Sequence, residues 1–178
     1  MVVFIKQEVI RRLDSLGRVV IPIHIRKKIN LSEEDSLEIE IHDSEIIMRK
    51  HDFLLSNYSL LSNVCEAIYK SIGGTILITN DNIIIASYGE RLNVYSKGKK
   101  LSSTSLSRIN ECESIRDNVF IVSDFKEERY SYFVPIFGEA KAVKGMLVYL
   151  YNDILKENNR NIISSYAIFL SVMMRNKT

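Results

Sequence analysis

The sequence predicts a two-domain α+β protein, and three observations carry this prediction. Charge is sorted along the first fifty residues: 6–28 hold seven basic and two acidic residues, whereas 29–45 hold seven acidic and no basic residues. Short β-branched or alternating segments in the same stretch predict the strands of a small module. From Leu54 onward the pattern predicts a larger α+β domain, since it consists of a helical apolar repeat, five short apolar runs and a second amphipathic stretch. We therefore expect domains at 1–52 and 53–178.

Composition excludes several classes of protein. The chain has 178 residues, a net charge of +2, 46% hydrophobic residues and 26% charged residues, as in folded rather than disordered proteins. Its two cysteines, Cys65 and Cys112, lie far apart and away from the histidines, so we expect no disulfide framework, no metal site and no cofactor. The N-terminus has no secretory pattern, and no apolar run reaches the ~20 residues of a membrane span. These features predict a cytoplasmic protein without a membrane partner.

Residue pattern gives the elements of the first domain. Asp14 and Gly17 favour a turn, and Pro22 ends one strand and starts a short helix that ends at Asn30. In chain order we expect a strand at 7–13, the turn at 14–17, a strand at 18–21, the helix, a turn with Ser32, Glu34 and Asp35, and strands at 36–41 and 45–50 around a hairpin turn. Some fifty residues of this kind bury little apolar surface alone. Since metal and disulfides are excluded, we expect an obligate dimer.

The second domain begins with a long helix. Its apolar face is expected to consist of Leu54, Tyr58, Leu61, Cys65, Ile68 and Ile72, and Gly73–Gly74 would end it. A hairpin over 75–86 with an Asn/Asp turn follows, and then a polar loop over 88–106 that leads into a helix. Further strands are expected at 118–123, 130–137 and 143–151. A terminal helix from Asp153 would have an apolar side made of Ile162, Tyr166, Phe169, Leu170 and Met173.

One segment carries a specific resemblance. Residues 9–28, VIRRLDSLGRVVIPIHIRKK, resemble AbrB-type swapped-hairpin DNA-binding domains, whose hallmark is one or two basic residues, D-x-x-G-R-V-V-I-P and a short basic helix. The acidic turn and L-E-I strand at 35–39 also match. The whole chain resembles AbrB-family sporulation regulators that join this domain to a GAF domain, through segments 66–69, 76–85 and 132–136.

This resemblance implies a transcription regulator that binds double-stranded DNA at the nucleoid. Two chains would interleave their hairpins into one N-terminal β-barrel, and dimers would pair into a tetramer. The DNA-facing positions of the family fall on Arg11, Arg18, Arg26 and Lys27, with Arg12 flanking. Lys27 stands where the family usually has Arg, so it can neutralise a phosphate but cannot make a bidentate guanine contact.

Charge predicts the same partner without the resemblance. A surface with Arg11, Arg12, Arg18, Arg26, Lys27 and Lys28 would present twelve cations in a dimer, which would bind phosphates in a salt-dependent way. The acidic stretch that follows would repel DNA and set its orientation.

The GAF resemblance implies a small-molecule site between the sheet and its covering loops. In this chain the lining residues would be Ile76, Ile78, Ile85, Tyr88, Tyr132 and Val134. Two alternatives stay open, a packed core without ligand and a domain that only mediates assembly. Activation and repression of sporulation genes are both open.

A different class of function is also open. The chain could be an antitoxin whose N-terminal domain binds DNA while its C-terminal part binds a protein partner. Against this interpretation, the C-terminal part has the periodicity of a domain with its own core. The scattered histidines and the acidic cluster at 124–128 lack a companion base or metal motif, so we expect no enzymatic activity.

Overall fold

The chain divides into two compact units between His51 and Asp52. The computed structural model describes residues 9–29, 31, 33, 35–110, 115–117, 121–122, 125, 129–138 and 142–175. Within these residues the first unit contains a short helix and a hairpin, and the second contains an antiparallel sheet covered by helices. The predicted α+β class is confirmed.

A turn and a short helix open the first unit. The Gly17 N–H donates to the Asp14 carbonyl (3.0 Å), and Gly17 has φ +75°, a conformation that favours glycine. Helix α1, Ile23–Lys28, starts directly after Pro22, whose fixed φ suits a helix start. Both the turn and the helix start agree with the sequence prediction, but the helix ends at Lys28 and not at the predicted Asn30.

A β-hairpin closes the first unit. Strands β1, Leu37–His42, and β2, Glu45–Lys50, pair antiparallel, and Asp43 in the two-residue turn has φ +53°. Because paired residues share one face of a hairpin, the register unites four apolar side chains on one face. These are Ile39 opposite Met48 and Ile41 opposite Ile46.

The described residues of the strands predicted at 7–13 and 18–21, which are 9–13 and 18–21, belong to no ladder. The bond from the Asp14 N–H to the Arg18 carbonyl (3.0 Å) closes the turn between the two segments. A strand needs a hydrogen-bonded neighbour, and the described residues of one chain supply none here. Outside the described residues lie Asn30, Ser32 and Glu34.

The second unit is built on one antiparallel sheet. Its described strands are β3 (Thr75–Thr79), β4 (Ile84–Gly89), β5 (Ile115–Asp117), β6 (Tyr130–Phe137) and β7 (Val143–Tyr151), in the spatial order β4-β3-β7-β6-β5. The described helices are α2 (Phe53–Ser56), α3 (Tyr58–Ile72), α4 (Ser103–Asn110) and α5 (Glu157–Arg175). The hairpin at 75–86 and the strands at 130–137 and 143–151 are thus confirmed.

Alternation along β7 divides the core into two clusters. Tyr149 and its neighbours at every second position pack against α3 and α5, in what we call the helix-side cluster. Met146, Val148 and Leu150 point to the opposite face, where Tyr95 and other loop residues cover them in the loop-side cluster. Both faces of the sheet are therefore buried, and accordingly every residue of β3 is buried.

The first predicted helix is interrupted at Asn57, between α2 and α3. The Asp52 carboxylate caps α2 by accepting from the backbone N–H groups of Leu54 (2.9 Å) and Leu55 (3.2 Å). Tyr58, predicted on the apolar face, is exposed. Gly73 ends α3 as predicted, with its N–H bonded to the Tyr69 carbonyl (2.7 Å).

Most of the strand predicted at 118–123 falls outside the described residues. A described strand lies at Ile115–Asp117, and Val122 forms isolated bridges to Leu101 and Phe125. Residues 118–120 and 123 lie outside the described part of the chain.

The apolar side predicted for α5 is largely confirmed. The helix starts at Glu157, not at Asp153; Leu170 is buried in the helix-side cluster, and Ile162, Tyr166 and Met173 pack against that cluster. Phe169 is the exception, because its side chain is exposed. The buried side also includes polar Ser171, whose hydroxyl donates to the Ala167 carbonyl (2.7 Å) and accepts from the Phe137 N–H (2.9 Å).

Gly145 lets β7 pass close to β3 and α2. A Cβ at this position would overlap the Thr79 carbonyl oxygen and lie 2.8 Å from Leu54 Cδ1. Because that carbonyl belongs to a paired strand, it has no room to turn away. We expect Gly145→Ala to lower the free energy of unfolding by about 1–3 kcal/mol in urea denaturation, the usual cost of overpacking. At Gly138 a Cβ would meet only the flexible side chain of Lys144, so Gly138→Ala is the control, and equal destabilisation of both variants would contradict the steric explanation.

Candidate nucleic-acid interface

The turn at 14–17 holds Arg18 through the Asp14 side chain. Asp14 Oδ1 accepts from the backbone N–H groups of Leu16 (2.9 Å) and Arg18 (2.8 Å), and Oδ2 accepts from Arg18 Nε (2.7 Å). These bonds, above all the backbone bond from Arg18, hold the pKa of Asp14 below its ordinary value. Asp14 is therefore ionised at neutral pH, while the Arg18 side chain stays 72% exposed.

Helix α1 gathers three of the predicted cations. Arg26, Lys27 and Lys28 form its last turn, where positive charge is favoured by the helix dipole. Lys27 and Lys28 are exposed, whereas Arg26 is half-buried. Arg26 Nε is buried and has no hydrogen-bond partner in the described part of the chain.

The remaining cations precede the turn. Arg11 and Arg12 are exposed, and Arg11 Nη1 donates to the neighbouring Ile10 carbonyl (3.0 Å). The predicted DNA-binding residues thus fall in three places, at 11–12, at 18 and at 26–28. Within one chain the turn relates the first two places, and α1 holds the third.

The acidic stretch after α1 is partly neutralised. Three of its carboxylates pair with groups around β2: Asp35 with Lys50, Glu38 with His51 and Glu40 with Arg49, each at 2.8 Å. Lys50 and Arg49 each neutralise one carboxylate, whereas His51 does so only when its imidazole is protonated. The stretch therefore repels DNA less than its sequence predicts.

The predicted small-molecule lining is packed core. Ile76, Ile78, Ile85, Tyr132 and Val134 are buried in the helix-side cluster, with Tyr88 packed against it. These residues lie on the face of the sheet that α3 and α5 cover, and period-two alternation does not say which face the helices cover. None of the six residues lines the cleft at the end of β7 or the cavity on the loop side of the sheet.

One cleft, of about 230 Å³, lies at the end of β7 and was missed by the sequence analysis. Buried Arg129 lies in its wall, where Nη1 donates to Thr75 Oγ1 (2.9 Å) and lies 3.4 Å from Glu90 Oε2. Asp153 and Lys156 balance the charge of the wall, so charge favours no particular ligand. An arginine that directly precedes a strand gives no sign of its burial in the sequence.

A second, very narrow cavity lies on the loop side of the sheet and does not admit water. Thr79 and Ser105 supply polar groups among apolar side chains such as Phe133 and Met146. The Thr79 hydroxyl is buried without a hydrogen-bond partner among the described residues, which is costly unless a partner is supplied.

Two histidines of the first unit lie beside glutamates of strand β1. His51 Nδ1 lies 2.8 Å from Glu38 Oε1, and His42 Nε2 lies 3.5 Å from Glu40 Oε2. In the described ranges we find no cluster of three or more His, Cys, Asp and Glu side chains that could hold a metal ion. The helices of those ranges include none that is both long and apolar enough to cross a membrane.

Comparison with known proteins identifies the family. Residues 10–53 match the family described as antidote-toxin recognition MazE, bacterial antitoxin. Stage V sporulation protein T of Bacillus subtilis (strain 168) is 29% identical over 171 residues, covering 93% of this chain and 96% of that protein. The transition state regulatory protein AbrB of the same organism is 33% identical over 73 residues, covering 41% of this chain and 75% of that protein. The chain belongs to the AbrB family. This homology supports DNA-binding regulation, as the 9–28 segment predicted.

The second unit of this AbrB-family chain has a GAF-like fold, as predicted. The GAF domain of an Acinetobacter phosphoenolpyruvate-protein phosphotransferase matches it with a TM-score of 0.54 and 13% identity, covering 66% of this chain and 81% of that one. A type II free methionine-R-sulfoxide reductase from Thermoplasma acidophilum matches with a TM-score of 0.54 and 10% identity, covering 68% of this chain and 94% of that one. At such identities the likeness shows the fold alone.

Proposed function

We propose that this AbrB-family chain regulates transcription of sporulation genes by binding double-stranded DNA through Arg11, Arg12, Arg18, Arg26, Lys27 and Lys28. The observation that carries the proposal is the cationic segment 11–28, in which the sole acid, Asp14, is bonded to Arg18. Phosphate binding by such a segment releases counterions and is therefore salt-dependent. The protein acts in the cytoplasm at the nucleoid, activating some promoters and repressing others.

The first unit acts as a homodimer in this proposal. In its described part no apolar residue is buried, and the hairpin face of Ile39, Ile41, Ile46 and Met48 is exposed. Exposure of these four apolar side chains to water is unfavourable, and the same face of a second copy of the hairpin would bury them. Interleaving two chains would also give segments 9–13 and 18–21 the strand partners that one chain lacks.

The second unit adds a further contact between chains. Helix α5 exposes Ile168, Phe169 and Val172 on one side, away from its buried face. Helices with one exposed apolar side commonly pack against a copy of themselves. We propose that this side joins two dimers into a tetramer.

The second unit also senses a small molecule in our proposal. The cleft at the end of β7, of about 230 Å³ and with buried Arg129 in its wall, supports this role because it has room for a small molecule, whereas the loop-side cavity does not admit even water. We propose no catalytic activity for it. Its likeness to a reductase concerns the fold, and its AbrB-family homologues are regulators.

Fluorescence anisotropy with a labelled DNA duplex tests DNA binding. We expect the full chain to bind and Arg11→Ala to weaken binding about tenfold at low salt, because the variant removes one DNA-facing cation from each chain. Lys99→Ala, which removes one exposed charge from the second unit, is the matched control and should bind like the wild type. Unchanged affinity of the Arg11 variant at low salt would refute the assignment of Arg11.

A second candidate function is that of an antitoxin, which the match of residues 10–53 to the MazE antitoxin family favours. Antitoxin tails tend to be short and to fold only on binding their partner. In contrast, the second unit has two buried clusters of its own. Limited proteolysis separates the two functions: a stable fragment that begins near Asp52 supports the regulator, whereas complete digestion of 52–178 supports the antitoxin.

A further inference from the structure

Asp14 occupies an unusual place for an acid, in the middle of a cationic segment. Its carboxylate makes three bonds of 2.7–2.9 Å, and two of them end on Arg18, at the backbone N–H and at Nε. The Asp14 N–H also donates to the Arg18 carbonyl (3.0 Å). Both ends of residue 18 are thus fixed to residue 14.

The bond to Nε restricts how Arg18 can meet a partner. It uses one of five N–H donors and fixes the plane of the guanidinium, while the side chain stays 72% exposed. The outer edge, with Nη1 and Nη2, is the edge that forms two parallel bonds to a phosphate or to a guanine. Preorganisation of that edge favours contacts that depend on geometry.

The same bond weakens long-range attraction. The two charges lie 2.7 Å apart, well inside the Debye length of ~10 Å at 0.1 M salt, so from a distance they cancel. Non-specific DNA binding depends mainly on net charge, whereas base readout depends on orientation. Asp14 therefore favours base readout by Arg18 and disfavours non-specific binding.

We propose that Asp14 is a positioning residue that increases DNA sequence discrimination through Arg18 and lowers non-specific affinity. This inference rests on the proposed function, in which Arg18 faces DNA. An acid that only formed the turn, or that only added a surface charge, would not increase discrimination through Arg18.

A double-mutant cycle with Asp14→Asn, Arg18→Ala and the double variant tests this proposal. The amide oxygen of Asn still accepts the Leu16 and Arg18 N–H groups, so the turn persists while the ion pair is removed. The probes are a duplex enriched from a random pool by the wild-type chain and a shuffled duplex of equal length and composition. Asp43→Asn, which removes one charge at the hairpin turn of the same unit, is the control.

We expect Asp14→Asn to reduce the ratio of affinities for the enriched and the shuffled duplex about fivefold, while affinity for the shuffled duplex rises about twofold. In the Arg18→Ala background the same change should leave the ratio unaltered, since the two residues act as one unit. The Asp43 control should keep the wild-type ratio.

Three results would overturn the proposal. An equal decrease in affinity for both duplexes would mean that Asp14 only supports the turn. A drop in the ratio that is equally large with and without Arg18 would mean that Asp14 acts elsewhere. If Arg18→Ala itself alters neither affinity, Arg18 does not face DNA, and this part of the proposed function fails together with the inference.

Discussion

Replacing Ile41 with Asp is expected to prevent dimerisation through the first unit and to abolish DNA binding. Ile41 is 77% exposed in the single chain and lies opposite Ile46, which is 70% exposed, on the apolar face of the hairpin. Burial of an isoleucine contributes about 1.5–3 kcal/mol, and burial of an unpaired carboxylate costs several more. With two copies in each dimer, the dimer Kd should rise at least ~10³-fold.

Analytical ultracentrifugation of the full chain at micromolar concentration measures this effect, together with anisotropy on a DNA duplex. His42→Asp adds the same group one residue away, on the opposite and polar face of the hairpin, and should leave both measurements unchanged. Because the second unit carries its own exposed apolar side on α5, a residual dimer can persist through that unit. The informative result is therefore the loss of the tetramer together with DNA binding. An Ile41 variant that assembles and binds DNA like the wild type would show that this face is not the interface.

Local patterns account for what the sequence predicted well. The limits of β2, β6 and β7 agree with the prediction because alternation, turn residues and glycines act within a few positions. The Asp14 turn was foreseen for the same reason, but its ion pair with Arg18 was not, since spacing alone does not reveal side-chain geometry.

Contacts between distant segments account for what was missed. Ser171 is buried because a hydroxyl can bond to two backbone groups, one of them 34 residues away in β6. The lining chosen for the small-molecule site, such as Ile76 and Val134, lies on the helix side because α3 and α5 cover that face of the sheet. In the first unit, segments 9–13 and 18–21 find no strand partner among the described residues of the same chain, so local pattern alone does not determine their pairing.

Removal of the three cations of α1 is expected to have the second large effect. The variant Arg26→Gln/Lys27→Gln/Lys28→Gln should lower DNA affinity at 0.1 M salt at least about a hundredfold, because each dimer loses six cations. The log–log salt slope should become shallower by up to about 5, since each phosphate that the dimer no longer neutralises reduces it by about 0.9. The helix itself should persist, since Gln has nearly the helix propensity of Lys and Arg, and α1 buries none of its residues.

The salt dependence of binding, rather than the affinity at one salt concentration, shows whether these cations contact phosphates. If Lys27 contacts only phosphate, the single variant Lys27→Gln should weaken enriched and shuffled duplexes equally and reduce the slope by about 2 for the dimer. If Arg26 reads a base, Arg26→Gln should instead weaken the enriched duplex more than the shuffled one. The variant Lys97→Gln/Lys99→Gln/Lys100→Gln removes an equal charge from exposed positions of the second unit and should keep the wild-type slope. A slope that falls equally in both triple variants would mean that DNA responds to the total charge of the chain and not to α1.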